Sequence, residues 1–147
     1  MKPIRNAKAR YDYEIQEKLE AGIVLFGPEV KSIKSGRAKL DGGFAVLHGN
    51  ELFLTNVHVP QYQQNQPNPP DPERSRKLLI KRKDMERLIG TMKSRGLTII
   101  PLSLYSKGGL VKVELGIGRG KRTIDKRKSI KERDITRSMQ RRMRQKT

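Results

Sequence analysis

Residues 12–26 read DYEIQEKLEAGIVLF. Tyr13, Ile15, Leu19, Ala21, Ile23 and Leu25 take the odd positions, with Glu17 the one break, while Asp12, Glu14, Gln16, Lys18 and Glu20 take even ones. Successive side chains of a strand point to opposite faces, so this alternation predicts a long strand with one packed side and one wet side. The stretch that follows, GPEVKSIKSG (27–36), has Pro28 suited to a first helical turn, Val30 and Ile33 three apart, and Gly36 as a stop, which predicts a short helix. FAVLHGNELFLTNVHV (44–59) alternates Phe44 and Val46 with Leu52 and Leu54 about Gly49–Asn50, the pattern of a hairpin.

Farther along, PQYQQNQPNPPDPE (60–73) carries five prolines and no apolar period, so it is a loop. RKLLI (76–80) supplies a short strand. In KRKDMERLIGTMKSRG (81–96), Met85, Leu88, Ile89 and Met92 fall on one helical face, and Gly96 ends the helix. TIIPLSLY and LVKVELGIG flank SKGG (106–109) as another hairpin, with Val111, Val113, Leu115 and Ile117 inward and Lys112 and Glu114 outward. Pro101 lacks the N–H a ladder needs and demands an edge or a bulge. The expected fold is mainly β, with about six strands and two or three short helices. Its strands form a small antiparallel barrel or sandwich; closing the sheet removes exposed edges, as the oligonucleotide-binding barrel does.

Charge dominates the composition. The 147 residues carry 33 lysines and arginines against 15 acids, a net charge of +18, which points first to a nucleic-acid partner. Residues 119–147 hold 13 of those cations against Asp125, Glu132 and Asp134. We therefore divide the chain into a body, 1–118, and a basic tail, 119–147. In the tail Ile135, Met139 and Met143 make a stripe too thin to hold an isolated helix of this charge density, so the tail is expected to be flexible and disordered when free and helical against a polyanion. No signal peptide or membrane-length apolar run is present, so the expected location is the cytoplasm, away from membranes.

Catalytic chemistry finds no support. There are no cysteines, and His48 and His58 have no nucleophile or carboxylate at a telling spacing, so no metal, cofactor or enzymatic activity is expected. Glu14, Glu17 and Glu20 share no spacing with a second acidic motif that would hold magnesium, and GIGRGK (116–121) lacks a full phosphate-loop pattern. A basic surface with Tyr11, Tyr13, Phe44, Tyr62 and Tyr105 available for base stacking is the equipment of an RNA-binding barrel, although at 5% of the chain most aromatics are expected inside. A general RNA-binding or ribosomal protein and a barrel-fold nuclease are the competing readings.

Four stretches, NAKARYDYEIQEKLEAGIVLFGPEVKSIKSGRAKL (6–40), PERSRKLLI (72–80), GLTIIPLSLY (96–105) and GIGRGKRTIDKRKSIKERD (116–134), resemble in order and spacing the bacterial SsrA-binding protein family, also called small protein B. The resemblance spans about residues 6–137. It implies an oligonucleotide-binding-type barrel with a flexible tail, acting as a monomer without catalysis. Such a factor binds the tRNA-like domain of transfer-messenger RNA and delivers it to stalled ribosomes for trans-translation.

The family's RNA-binding positions fall on Asn6, Glu20, Leu79 and Lys112; Lys8, Arg10, Arg76 and Lys77 join them as phosphate contacts by charge. Glu20 would either accept hydrogen bonds from bases or 2′-hydroxyls or orient neighbouring cations. GKRTIDKR corresponds to the tail motif that reaches the ribosomal RNA of the decoding centre, and SIKERD begins the segment that enters the empty message channel. The resemblance therefore assigns Gly120, Lys121, Arg122, Asp125, Lys126, Arg127, Ile130, Lys131 and Arg133 to the ribosome. Pro28, Lys39, Phe44 and Gly118 depart from the family's usual Thr, Asn, Tyr and Ala.

Overall fold

The computed structural model describes residues 1–92 and 96–121. Its elements in chain order are β1 (Ile4–Arg5), α1 (Ala7–Asp12), β2 (Tyr13–Ile23), α2 (Gly27–Lys34), β3 (Phe44–His48), β4 (Glu51–Thr55), β5 (Arg76–Leu79), α3 (Arg82–Met92), β6 (Leu97–Lys107) and β7 (Leu110–Gly120). The alternating stretch from Tyr13 to Ile23 is β2, with Leu19 and Ala21 buried and Glu14, Gln16, Lys18 and Glu20 exposed. Glu17 breaks the apolar pattern because it meets Arg87 of α3 at 2.6 Å, and β2 bulges between Ile15 and Glu17.

The sheet closes on itself. β6 pairs with β3, β3 with β4, β4 with β5, β5 with β2, β2 with β7, and β7 again with β6, all antiparallel. This hydrogen-bonded ring leaves no strand of the six with two free edges. Its interior is aliphatic: Ile33, Leu40, Leu52, Leu54, Leu78, Leu88, Ile99, Leu104, Val113, Leu115 and Ile117 are among its buried residues. Met85 and Met92 of α3 pack against that core half-buried.

Two short elements escaped the sequence reading. β1 pairs with β6 through Ile4↔Leu104 and Arg5↔Ser103, and α1 lies over β6, with Ala9 buried against Ile100 and Leu102. β6 is thus covered on both faces, which is why Ile99 through Leu102 are buried without alternation. The ladder shifts register between Pro101 and Ser103, the bulge that the proline required. The β3–β4 hairpin forms as expected, but Ala45 faces Leu54 and Leu47 faces Leu52, so Phe44 and Val46 point outward at 36% and 37% exposure.

β7 continues through Gly120, and the Lys121 N–H donates to the Asp12 carbonyl at 2.7 Å. Gly118 is buried where β7 meets the β2 bulge; an added Cβ would stand 2.3 Å from the Glu14 carbonyl oxygen.

Candidate nucleic-acid interface

All seven aromatic side chains are at least partly exposed. Phe26 is 56% exposed, Phe44 is exposed, and Phe53, Tyr11, Tyr13, Tyr62 and Tyr105 are half-buried. This corrects the expectation that most lie inside: aliphatic side chains fill the ring, and the aromatics remain on the surface of a strongly basic body. Aromatic faces beside cations can stack bases while holding phosphates.

Register brings three of the four family positions onto one outer face. Leu79 of β5 stands opposite Gly22 of β2, Gly22 opposite Lys112 of β7, and Lys112 opposite Tyr105 of β6. Glu20 and Glu114 face each other in the neighbouring row. Leu79 is 53% exposed, and Gly22 leaves open space between it and Lys112; a Cβ there would lie 3.4 Å from Leu79 Cβ and 3.6 Å from Lys112 Nζ.

Glu20 is held in place. Tyr105 Oη donates to its Oε2 at 2.5 Å, and Lys107 Nζ approaches Oε1 at 3.3 Å. The tyrosine hydrogen bond, aided by Lys107 and Lys112, outweighs desolvation and holds the Glu20 carboxyl below its ordinary range. Burial, then the hydrogen bond to Glu20, pushes the Tyr105 phenol well above its ordinary value. Glu20 is therefore a fixed, ionised acceptor among cations. Tyr105→Phe is expected to move the Glu20 carboxyl upward toward its ordinary value while leaving the fold unchanged, as a ¹³C-detected pH titration of the side chain would show.

The SmpB protein family profile matches residues 3–145. The chain belongs to the SmpB family. An SsrA-binding protein of Magnetococcus marinus is 51% identical over 136 residues, covering 92% of this chain and 91% of the relative. One from Acidothermus cellulolyticus is 48% identical, covering 92% and 86%. A solved structure described as "tmRNA-SmpB: a journey to the center of the bacterial ribosome" superposes with a TM-score of 0.70 at 42% identity, over 82% of this chain and 85% of that one. The SmpB match runs across both the ring and the basic stretch after it.

Two of the expected RNA contacts lie inside. Arg76 has no accessible surface: Nε donates to Glu29 Oε2 at 2.7 Å, and its other nitrogens donate to the carbonyls of Val57, Arg74 and Pro72. It cannot meet a phosphate in this fold. The parity of β5 explains the error: Arg76 and Leu78 face inward, Lys77 and Leu79 outward. Asn6 is 4% exposed, and its side chain accepts from Ala9 N–H at 3.1 Å and donates to the Pro101 and Leu40 carbonyls. It caps α1 and ties that helix to the ring.

Lys8 and Arg10 are exposed on α1. Lys77 is exposed and pairs with Glu51 at 3.3 Å. Gly120 is exposed at the end of β7, and Lys121 Nζ donates to the Arg10 carbonyl at 2.9 Å, so the basic stretch leaves the ring beside α1. Arg122, Asp125, Lys126, Arg127, Ile130, Lys131 and Arg133 lie outside the described residues. His58 does have a carboxylate partner, Glu73 at 2.6 Å from Nδ1, fifteen residues away and invisible to local spacing. No group of three or more His, Cys, Asp or Glu side chains able to hold a metal occurs among the described residues.

Proposed function

We propose that this chain binds the tRNA-like domain of transfer-messenger RNA and delivers it to stalled ribosomes for trans-translation, acting by binding and not by catalysis. The observation that carries the reading is the single outer face on which Glu20, Leu79 and Lys112 converge beside Tyr105. The family match and the likeness to a tmRNA-SmpB structure support it. Lys8, Arg10 and Lys77 supply phosphate contacts at its margins, and Asn6 sets the position of α1. From Gly120 onward the basic stretch serves the decoding centre and the vacant message channel, where message already in place would exclude it. A partner on the ribosome puts the site of action in the cytoplasm; no described helix is long and apolar enough to cross a membrane.

The test is binding of the tRNA-like domain and of an elongator tRNA by the full chain and by a chain ending at Lys121, across a salt series. Both versions should prefer the tRNA-like domain, with log-log salt slopes of about 0.7–0.9 per phosphate neutralised. Equal affinity for both RNAs, all of it lost with residues 122–147, would leave only a general polyanion binder.

A further inference from the structure

A groove of about 650 Å³ runs between β1, α1 and the outer face of β6, β7 and β2, lined by Arg5, Arg10, Tyr11, Lys18, Tyr105 and Glu114. Its size suits one nucleotide. Three cations and two tyrosines are what phosphate and base require, but Glu114 is out of place there, since a carboxylate repels phosphate. Register makes the oddity sharper. Arg5, Ser103, Glu114 and Glu20 form one row across β1, β6, β7 and β2, so two glutamates stand directly opposite on the same face, an arrangement that destabilises a sheet.

Glu20 is tied up by Tyr105 and Lys107. Glu114 takes no hydrogen bond or salt bridge from any described residue. A half-buried carboxylate with both oxygens unused offers only hydrogen-bond acceptors. In RNA, the base edge that presents two parallel donors is the Watson–Crick edge of guanine, N1–H and N2–H. Adenine and cytosine set one amino donor beside a ring-nitrogen acceptor, and uracil sets N3–H between two carbonyls; each turns a lone pair toward the second carboxylate oxygen.

We propose that this groove takes one unstacked guanosine of an RNA chain, with its base against Tyr11 and Tyr105, its N1–H and N2–H on Glu114, and its phosphate among Arg5, Arg10 and Lys18. This rests on the RNA-binding reading above and adds a base preference to it. The source is an RNA chain and not a free nucleotide because Tyr105 of the groove stands in the same outer row as Lys112 and Leu79, where neighbouring nucleotides add contacts.

The experiment measures fluorescence anisotropy of the full chain with 5′-labelled RNA hexamers UUGUUU, UUAUUU and UUIUUU, where I is inosine, which lacks the N2 amine. Wild type should bind the guanosine hexamer about tenfold more tightly than the adenosine one, with inosine between them. Glu114→Gln should bring the guanosine-to-adenosine ratio to about one, with adenosine-hexamer affinity and thermal stability no lower than wild type, since it removes one of two facing carboxylates that repel each other and phosphate. A wild-type ratio near one, or a ratio that Glu114→Gln leaves intact, overturns the proposal. So does free GMP competing as strongly as UUGUUU, which would make the groove a mononucleotide site. Measured alongside, failure of wild type to prefer the tRNA-like domain over tRNA would sink the broader reading while the hexamer ratio still decides this one.

Discussion

Replacing Arg76 with leucine is expected to lower the unfolding free energy by about 3–5 kcal/mol, the range for breaking a buried ion pair from one side. Arg76 and Glu29 have 0% and 3% exposure, and the two charges satisfy each other at 2.7 Å. The arginine also serves the carbonyls of Val57, Arg74 and Pro72, so its loss strips a donor from one fully buried and two partly buried backbone acceptors. Glu29 keeps Arg74 at 2.5 Å and the Phe26 N–H at 2.9 Å, the latter being the half of a capping box that a phenylalanine N-cap allows. One glutamate thereby binds the start of α2 to β5 and to the end of the proline-rich loop. Urea denaturation at pH 7 measures the loss; a change under about 1 kcal/mol would mean that the network is not a keystone of the fold.

The same network gives the stability a defined pH dependence. Burial alone would raise the Glu29 carboxyl, but hydrogen bonds from Arg74, the Phe26 N–H and Arg76 outweigh it and hold it below the ordinary value. A carboxyl depressed in the folded state contributes stability that is fully present above the unfolded value, about 4.3, and is lost as pH falls through the folded one. Wild type should therefore lose urea resistance below about pH 4.5, and Arg76→Leu should flatten that part of the profile because its Glu29 is less depressed. Parallel profiles for the two proteins would show that other carboxylates govern acid unfolding.

How much of this was legible depended on whether a signal repeated. β2 and β7 are eleven-residue strands, long enough for alternation to show despite the Glu17 break in β2, and Pro101 announced its bulge by lacking an N–H. β1 has two residues and α1 six, too short for any period to appear, although Asn6 before Ala7 and Ala9 is an N-cap signal in itself. Charge misled at Arg76, where parity was the better guide: with Leu79 outward, a residue three positions earlier in the same strand must face inward. The aromatics misled because large aromatic side chains commonly dominate a core, whereas aliphatic side chains fill this one. Of the outer face, the outward side of Lys112 followed from strand parity, while Leu79 entered only through the family resemblance. The Tyr105–Glu20 bond joins residues 85 apart, and only the β6–β7–β2 pairing makes it visible.

Lys112→Glu is expected to reduce affinity for the tRNA-like domain by about a hundredfold at low salt, the order expected when an attractive charge facing phosphate becomes a repulsive one. Lys112 stands at the middle of the outer row, between Gly22 and Tyr105, and its ammonium lies over the space that Gly22 leaves open. The substitution removes one phosphate contact and places a third carboxylate beside Glu20 and Glu114. Raising the salt should shrink the deficit, because the log-log slope falls by about 0.7–0.9 when one neutralised phosphate is lost. Lys112→Ala should show the same fall in slope with a smaller loss of affinity, separating the absent contact from added repulsion. Lys112→Ala should melt close to wild type, since Lys112 makes no salt bridge among the described residues, whereas Lys112→Glu should melt lower because a third carboxylate joins Glu20 and Glu114. A hundredfold loss that persists unchanged at high salt would show that Lys112 acts by shaping the surface, with no phosphate on its ammonium, and would move the electrostatic centre of the interface to the cations of α1, Lys8 and Arg10.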